Sequence, residues 1–207
     1  MILITDCQLF PPIDFFKKVT EYKYVEIETC DWFKKSTFRN RYIIAGANGL
    51  VNLTVPIAGG REQKRLFKDV KIDNADNWRI KHWRSIVSSY RKSPFFDYYE
   101  EEVRALIFNG EEKLLIFNIT ILNKFCNLLN ISSSVSFTSV YEQLAENKFD
   151  FRDTLLPATF QANGENWQPK YSQVFEERRG FQPNLSILDL LFCEGPNALN
   201  LMEKSVG

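Results

Sequence analysis

The first apolar run, Met1 to Thr5, is short and ends at Asp6, which reads as a buried strand. Pro12 suits the first turn of a helix over Ile13 to Glu21 that turns Phe15, Phe16 and Val19 inward. Tyr22 to Glu28 then alternates Val25 and Ile27 with Tyr24, Glu26 and Glu28, the period of a second strand. Strand, helix and strand in so short a span predict a right-handed βαβ unit. Arg41 to Ala45 and Leu50 to Pro56 flank Asn48-Gly49, a strong hairpin signal. Gly59-Gly60-Arg61 opens a basic loop, and Lys68 to Asp73 alternates again through Val70 and Ile72.

From Asp76 the period becomes helical. Ile80, Trp83, Val87 and Tyr90 recur at spacings of three and four. Ser93-Pro94 is placed to cap and start a second helix to Phe108, and Asn109-Gly110 ends it. Glu111 to Asn130 predicts a third, with Leu114, Ile121, Leu122 and Phe125 on one side. A strand is expected near Val135 to Thr138. Residues 147 to 182 show no long apolar pattern and read as ordered loop. Pro183-Asn184 precedes a short helix through Leu191, and a last turn or two follows Gly195-Pro196. The expected fold is a single α/β domain over 1–207. It has a mixed β-sheet with an N-terminal βαβ unit, a central hairpin, a block of three helices and an irregular C-terminal segment.

Composition changes this picture in three places. A chain of 207 residues buries about 70% of its unfolded surface, enough for a core without metals or disulfides. Eighteen Phe, eight Tyr and four Trp exceed ordinary usage, so the core is aromatic unless some rings line a sugar or base site. The 26 basic and 26 acidic residues balance, which argues against nucleic-acid binding by bulk charge. Cys7, Cys30, Cys126 and Cys193 form no C-x-x-C pair and have one histidine for company, so neither a zinc site nor another metal site is expected. Reduced thiols, no leader and no apolar stretch of membrane-spanning length together predict a cytoplasmic protein without a membrane span.

Four segments carry candidate chemistry. Gln8, directly after the first strand, stands where α/β proteins place ligand contacts; a loop glutamine bonding backbone is the plain alternative. The stretch from Glu28 to Arg41 is rich in charge, with Lys34, Lys35, Arg39, Asn40 and Arg41. Arg39 and Arg41 stand two apart, so an extended chain would aim both at one phosphate or carboxylate; a solvated charged run is the alternative. Lys81-His82-Trp83 lies on the first of the three helices. His82 is the only ordinary near-neutral titrator, hence the only histidine for acid–base work, though a lone histidine is more often structural. Finally, Asn184 reads as a helix cap, Ser186 follows it, and Asp189 sits in an apolar helix where a carboxylate needs a partner. No common nucleotide-binding glycine loop, nucleophile elbow or redox motif occurs.

Several short motifs recur in one order: Gln8-Leu9-Phe10-Pro11, Phe38-Arg39-Asn40-Arg41, Leu53-Thr54-Val55-Pro56, Trp78 with Lys81-His82-Trp83, Tyr90 through Phe96, and Pro183 through Leu191. In this order and spacing the chain resembles the WbqC-like protein family over nearly its whole length. The resemblance implies a part in building surface polysaccharide of the O-antigen type. It also carries over Gln8, Asn40, Arg41, Lys81, His82, Tyr90, Ser186 and Asp189 as motif positions without chemical roles. Leu9 stands where many members have proline, and 157–170 is shorter than usual. The expectation is a transferase-like enzyme that takes an anionic small-molecule donor, such as a nucleotide sugar or acyl donor, and needs no cofactor. Its candidate catalytic residues are His82, Asp189 and Glu28, and its candidate binding residues are Gln8, Lys35, Arg39, Asn40, Arg41, Lys81, Tyr90 and Ser186. A non-catalytic assembly protein using the aromatics of 147–182, and an RNA-binding protein using 34–41 and 61–68, are the alternatives.

Overall fold

The computed structural model describes residues 1–59, 64–141, 143, 147–160 and 170–203. The expected loop glycine Gly60, the basic Arg61, and Gly164 and Trp167 of the shortened segment lie outside the described residues.

The apolar run at the N-terminus forms β1 (Ile2–Asp6), followed by α1 (Ile13–Thr20) and β2 (Tyr24–Glu28). β1 and β2 are parallel and adjacent, pairing Leu3 with Val25 and Asp6 with Glu28. Two further parallel strands complete a four-stranded sheet. β5 (Ser134–Phe137) lies beside β2, and β6 (Lys148–Asp150) lies on the far side of β1. The chain therefore builds outward in one direction from β1 and then returns to the opposite side, which gives the order β5-β2-β1-β6. All four strands end on the same edge. In open parallel sheets, the crevice for a ligand opens at that edge, between the strands where the order reverses. Here those strands are β1 and β6.

Between β2 and β5 run the antiparallel hairpin β3 (Arg41–Gly46) and β4 (Gly49–Thr54) and the helices α2 (Trp78–Tyr90), α3 (Phe96–Ile107) and α4 (Leu114–Leu128). The hairpin forms its own two-stranded sheet. Ala47 and Asn48 make its loop, and Gly49 takes φ +121°, a conformation that L side chains avoid. α2 packs on β3. After β6 come a short α5 (Glu176–Arg179), α6 (Ile187–Glu194) and α7 (Ala198–Glu203).

Four local expectations change. Ser93-Pro94 does not cap α3, which begins at Phe96 after Phe95, and the Ser93 hydroxyl donates to the Tyr90 carbonyl at 2.6 Å instead. Lys68 to Asp73 is a 3₁₀ turn at Phe67–Asp69 followed by single bridges, Ile57 to Ile72 and Lys71 to Lys113. Val70 and Ile72 alternate there because both are buried, with no strand involved. β6 appears within the segment that reads as loop, because three residues of mixed polarity carry too little periodicity to announce a strand. Ser186, rather than Asn184, caps α6, its hydroxyl accepting from the Leu188 amide. Asn184 takes φ +56° and spends its side chain on α1: Oδ1 accepts from the Asp14 amide at 2.9 Å, and Nδ2 donates to Asp14 at 2.7 Å.

The core is contiguous and aromatic, as the composition predicts. Phe10 meets Tyr42 at 4.8 Å and Phe125 edge-on at 5.9 Å, and Phe192 joins Tyr90 and Phe96. Gly195, at the end of α6, has φ +52°, and a β-carbon there would stand 2.5 Å from the Phe95 ring. Gly195→Ala is expected to cost about 2–4 kcal/mol, left-handed strain and overpacking combined. Urea unfolding of the variant measures it, and a loss below about 0.5 kcal/mol would show that Phe95 yields freely.

Candidate functional site

β1 enters the core through Leu3, and the paired residues Val25 and Val135 lie on the same face. The other face is unlike that of an ordinary parallel sheet, which is apolar on both sides. It carries Glu26, joined to Lys148 at 2.6 Å, and Asp150 beside Ile4. Polarity increases toward the C-terminal edge. Glu28 is fully buried there. Its Oε1 accepts from the Cys30 amide and the Thr138 hydroxyl, each at 2.8 Å, and its Oε2 accepts from Arg152 at 3.1 Å. Arg152 also clamps Asp150. Glu28 thus ties the loops after β2, β5 and β6 together.

Arg39 lies at the centre of this edge with no exposed surface. Its guanidinium donates to Asp31 and, at 2.9 Å, to Asp153, and stands 3.6 Å from Asp6. Asp153 also pairs with Lys34 and donates its amide to Asp6 at 3.1 Å. Gln8 adds its amide nitrogen to Asp6 at 3.3 Å. Burial raises the pKa of Asp6 and of Asp31, against the opposing pull of Arg39. Burial works the same way on Asp153, but hydrogen bonds from Lys34 and Arg39 hold it below its ordinary value. Burial alone would lower Arg39, and the surrounding carboxylates overcome it and raise the guanidinium above its usual range. Arg39 is therefore committed to carboxylates and is not free for the anion it was expected to share with Arg41. The chain is not extended through Arg39, which precedes β3, so the two-residue spacing does not align the pair.

Arg41, Lys35 and Asn40 face elsewhere. They line a cleft of ≈ 520 Å³ with Phe33, Ser36, Thr54 and the apolar Val55, Pro56 and Ile57. Among the described residues, Arg41 and Lys35 have no ion pair, and the buried Arg41 Nε has no hydrogen-bond partner. Asn40 fixes the wall by donating to the Val55 carbonyl at 2.9 Å. The cleft lining thus combines two cations with apolar side chains.

His82 stands behind this wall. Its Nε2 lies 3.3 Å from the Thr54 carbonyl, which can only accept, so Nε2 carries the hydrogen. Its Nδ1 accepts from the Tyr42 hydroxyl at 3.1 Å. Burial pushes its pKa down to about 4, partly offset by the Thr54 bond. The ring is neutral near pH 7, with both nitrogens engaged. Lys81, the residue before it, turns outward to Asp76 at 2.7 Å.

Asp189 and Tyr90 meet in the core instead. Asp189 accepts from the Tyr171 hydroxyl at 2.6 Å and from Gln173 at 2.9 Å, with the Tyr90 hydroxyl also close by. Burial raises Asp189 to about 6. Ser186 donates to the Phe10 carbonyl at 2.9 Å and so ties α6 to the loop after β1. Of Gln8, Arg41, His82 and Asp189, only Arg41 lines the cleft. The residues that sequence reasoning passed over are Asp6 and Asp153. Asp6 had a signal, since it ends the first apolar run at a strand terminus.

Among the described residues no helix is long and apolar enough to cross a membrane. No solved structure matches the chain. An uncharacterized protein of Mycobacterium tuberculosis (strain ATCC 25618 / H37Rv), Rv1507c, is 28% identical over 190 residues, covering 80% of this chain and 81% of that protein. The family model described as "WbqC-like protein family" matches residues 7–167 and 148–201, which together include every motif named above. The chain belongs to the WbqC-like protein family.

Proposed function

We propose that the protein binds an anionic small-molecule donor in the Arg41 cleft and serves surface-polysaccharide assembly as a transferase-like enzyme. The observation that carries this reading is the pair of uncommitted cations, Arg41 and Lys35, on a cleft of ligand size whose lining is otherwise largely apolar. A guanidinium and an ammonium in one cleft suit a phosphate or diphosphate. The apolar Phe33, Val55, Pro56 and Ile57 suit the uncharged remainder of a nucleotide sugar or acyl donor. His82 acts in this reading by holding the Thr54 wall. A second reading, binding without turnover, is favoured by the neutral and fully engaged His82 ring.

Calorimetric titration with uridine diphosphate, a uridine-diphosphate sugar and acetyl coenzyme A tests the donor site. Saturable binding of at least one is expected, weakened tenfold or more by Arg41→Ala and less by Lys35→Ala. Absence of binding by all three, or affinity unchanged in Arg41→Ala, would remove the basis for the reading. Consumption of the bound donor separates turnover from binding alone.

A further inference from the structure

We propose that the C-terminal edge of the parallel sheet is a second ligand site, built for a neutral sugar. Its place is the crevice between β1 and β6, where the strand order reverses. Its electrostatics are opposite to those of the cleft. Around Arg39 and Arg152 the carboxylates outnumber the cations, so an anion is repelled where the cleft attracts one.

Three features match the chemistry of a sugar ring. First, Asp150 and Asp153 are held in fixed orientation by Arg152, Arg39 and Lys34, yet their side chains are 34% and 29% exposed. A carboxylate retains lone pairs beyond those an ion pair uses, and ring hydroxyls can donate to them. Second, beneath these carboxylates lie buried acceptors, Gln8 Oε1 and Asp31 Oδ1, that have no hydrogen-bond partner among the described residues. Beside them the Arg39 Nε is an unpaired donor. A group that both donates and accepts, as a hydroxyl does, completes this set, and an anion or an apolar group does not. Third, two exposed rings lie on the loops that follow β2 and β5, at the same edge of the sheet. Trp32 is 48% exposed and Tyr141 is 56% exposed, and each has a cation against it, Lys64 and Arg152. Exposed aromatic faces beside fixed carboxylates accept the apolar C–H face of a pyranose.

Lys34 and Arg39 face the sheet edge, while Lys35, Asn40 and Arg41 face the cleft, so one loop forms a wall of both sites. A sugar acceptor on one side and an anionic donor on the other is the arrangement a glycan-building transferase needs. That pairing rests on the donor reading of the cleft. The sugar binding itself does not.

Saturation-transfer NMR on the full chain tests it, with methyl glucoside, methyl galactoside and methyl N-acetylglucosaminide as neutral probes and glucosamine as a charged one. Transfer to the ring protons of at least one neutral probe is expected, reduced several-fold in Trp32→Ala and in Tyr141→Ala. Both positions are exposed, and unchanged melting curves show that the variants fold. Arg41→Ala is expected to leave the transfer intact, which separates this site from the cleft. No transfer to any neutral probe, transfer to glucosamine alone, or transfer that survives both aromatic variants would overturn the proposal.

Discussion

Replacing Arg39 with methionine is expected to cost about 3–5 kcal/mol of folding stability at neutral pH, the largest loss from any single change at the sheet edge. The cause is what remains behind. Asp6 and Asp31 are buried, and Arg39 is the cation in contact with both. Burial already raises both carboxylates, and Arg39 opposes that rise. Without it both shift further upward, so the folded variant binds protons that its unfolded chain releases. Stability then falls as pH rises above the ordinary value of 3.8, and the deficit against the unmodified protein narrows in acid, where both groups are neutral. Adding Asp6→Asn and Asp31→Asn to Arg39→Met is expected to recover much of the loss, because no uncompensated charge remains. Lys34→Ala supplies the contrast. Lys34 pairs with the same Asp153 but is 52% exposed, so its loss is expected to stay below about 1 kcal/mol. Urea unfolding of the set at pH 7 and in acid reads all of this. An Arg39→Met variant within about 1 kcal/mol of the parent at pH 7 would show that water or relaxation compensates the carboxylates.

The Arg39 network also marks how far the sequence could be read. Elements with strong local signals were legible: α2 follows from spacings of three and four, α4 from its apolar side, α3 from the flanking Ser93-Pro94 and Asn109-Gly110, and the hairpin from Asn48-Gly49. β6 was not, since Lys148, Phe149 and Asp150 become a strand only because β1 offers them a partner. The same limit governed the site. Arg39 meets Asp31 eight residues away but Asp153 at a separation of 114, and no local pattern announces the second contact. Charge near charge in the stretch from Glu28 to Arg41 was visible; which cation would be spent and which left free was not. That choice depends on the sheet edge arriving beneath Arg39 and on the wall from Thr54 to Ile57 arriving beside Arg41. His82 was singled out because it is the sole histidine, yet the residues that define its chemistry, Tyr42 and Thr54, come from the hairpin.

His82 and Asp189 together are expected to hide a steep pH dependence that single variants uncover. His82 has an ordinary value of 6.5 and a folded value of about 4. Between these the unfolded chain binds the extra proton, so its contribution is fully present above 6.5 and is lost as pH falls toward 4. Asp189 has an ordinary value of 3.8 and a folded value of about 6. There the folded chain binds the extra proton, so the contribution is present below 3.8 and is lost as pH rises toward 6. Each gap corresponds to about 3 kcal/mol, with opposite sign over nearly the same window. In the unmodified protein the two largely cancel. Asp189→Asn keeps an acceptor for Tyr171 and Gln173 and offers a donor to the Tyr90 hydroxyl, so its stability is expected to climb steeply between pH 4 and pH 6.5. His82→Gln keeps a donor for Thr54, and its stability is expected to fall across the same range. Subtracting each variant's curve from the parent's removes what Asp6 and Asp31 contribute to both. The measurement is the urea midpoint at intervals from pH 4 to pH 7. A variant curve running parallel to the parent's would mean that the group replaced titrates alike in the folded and unfolded chains.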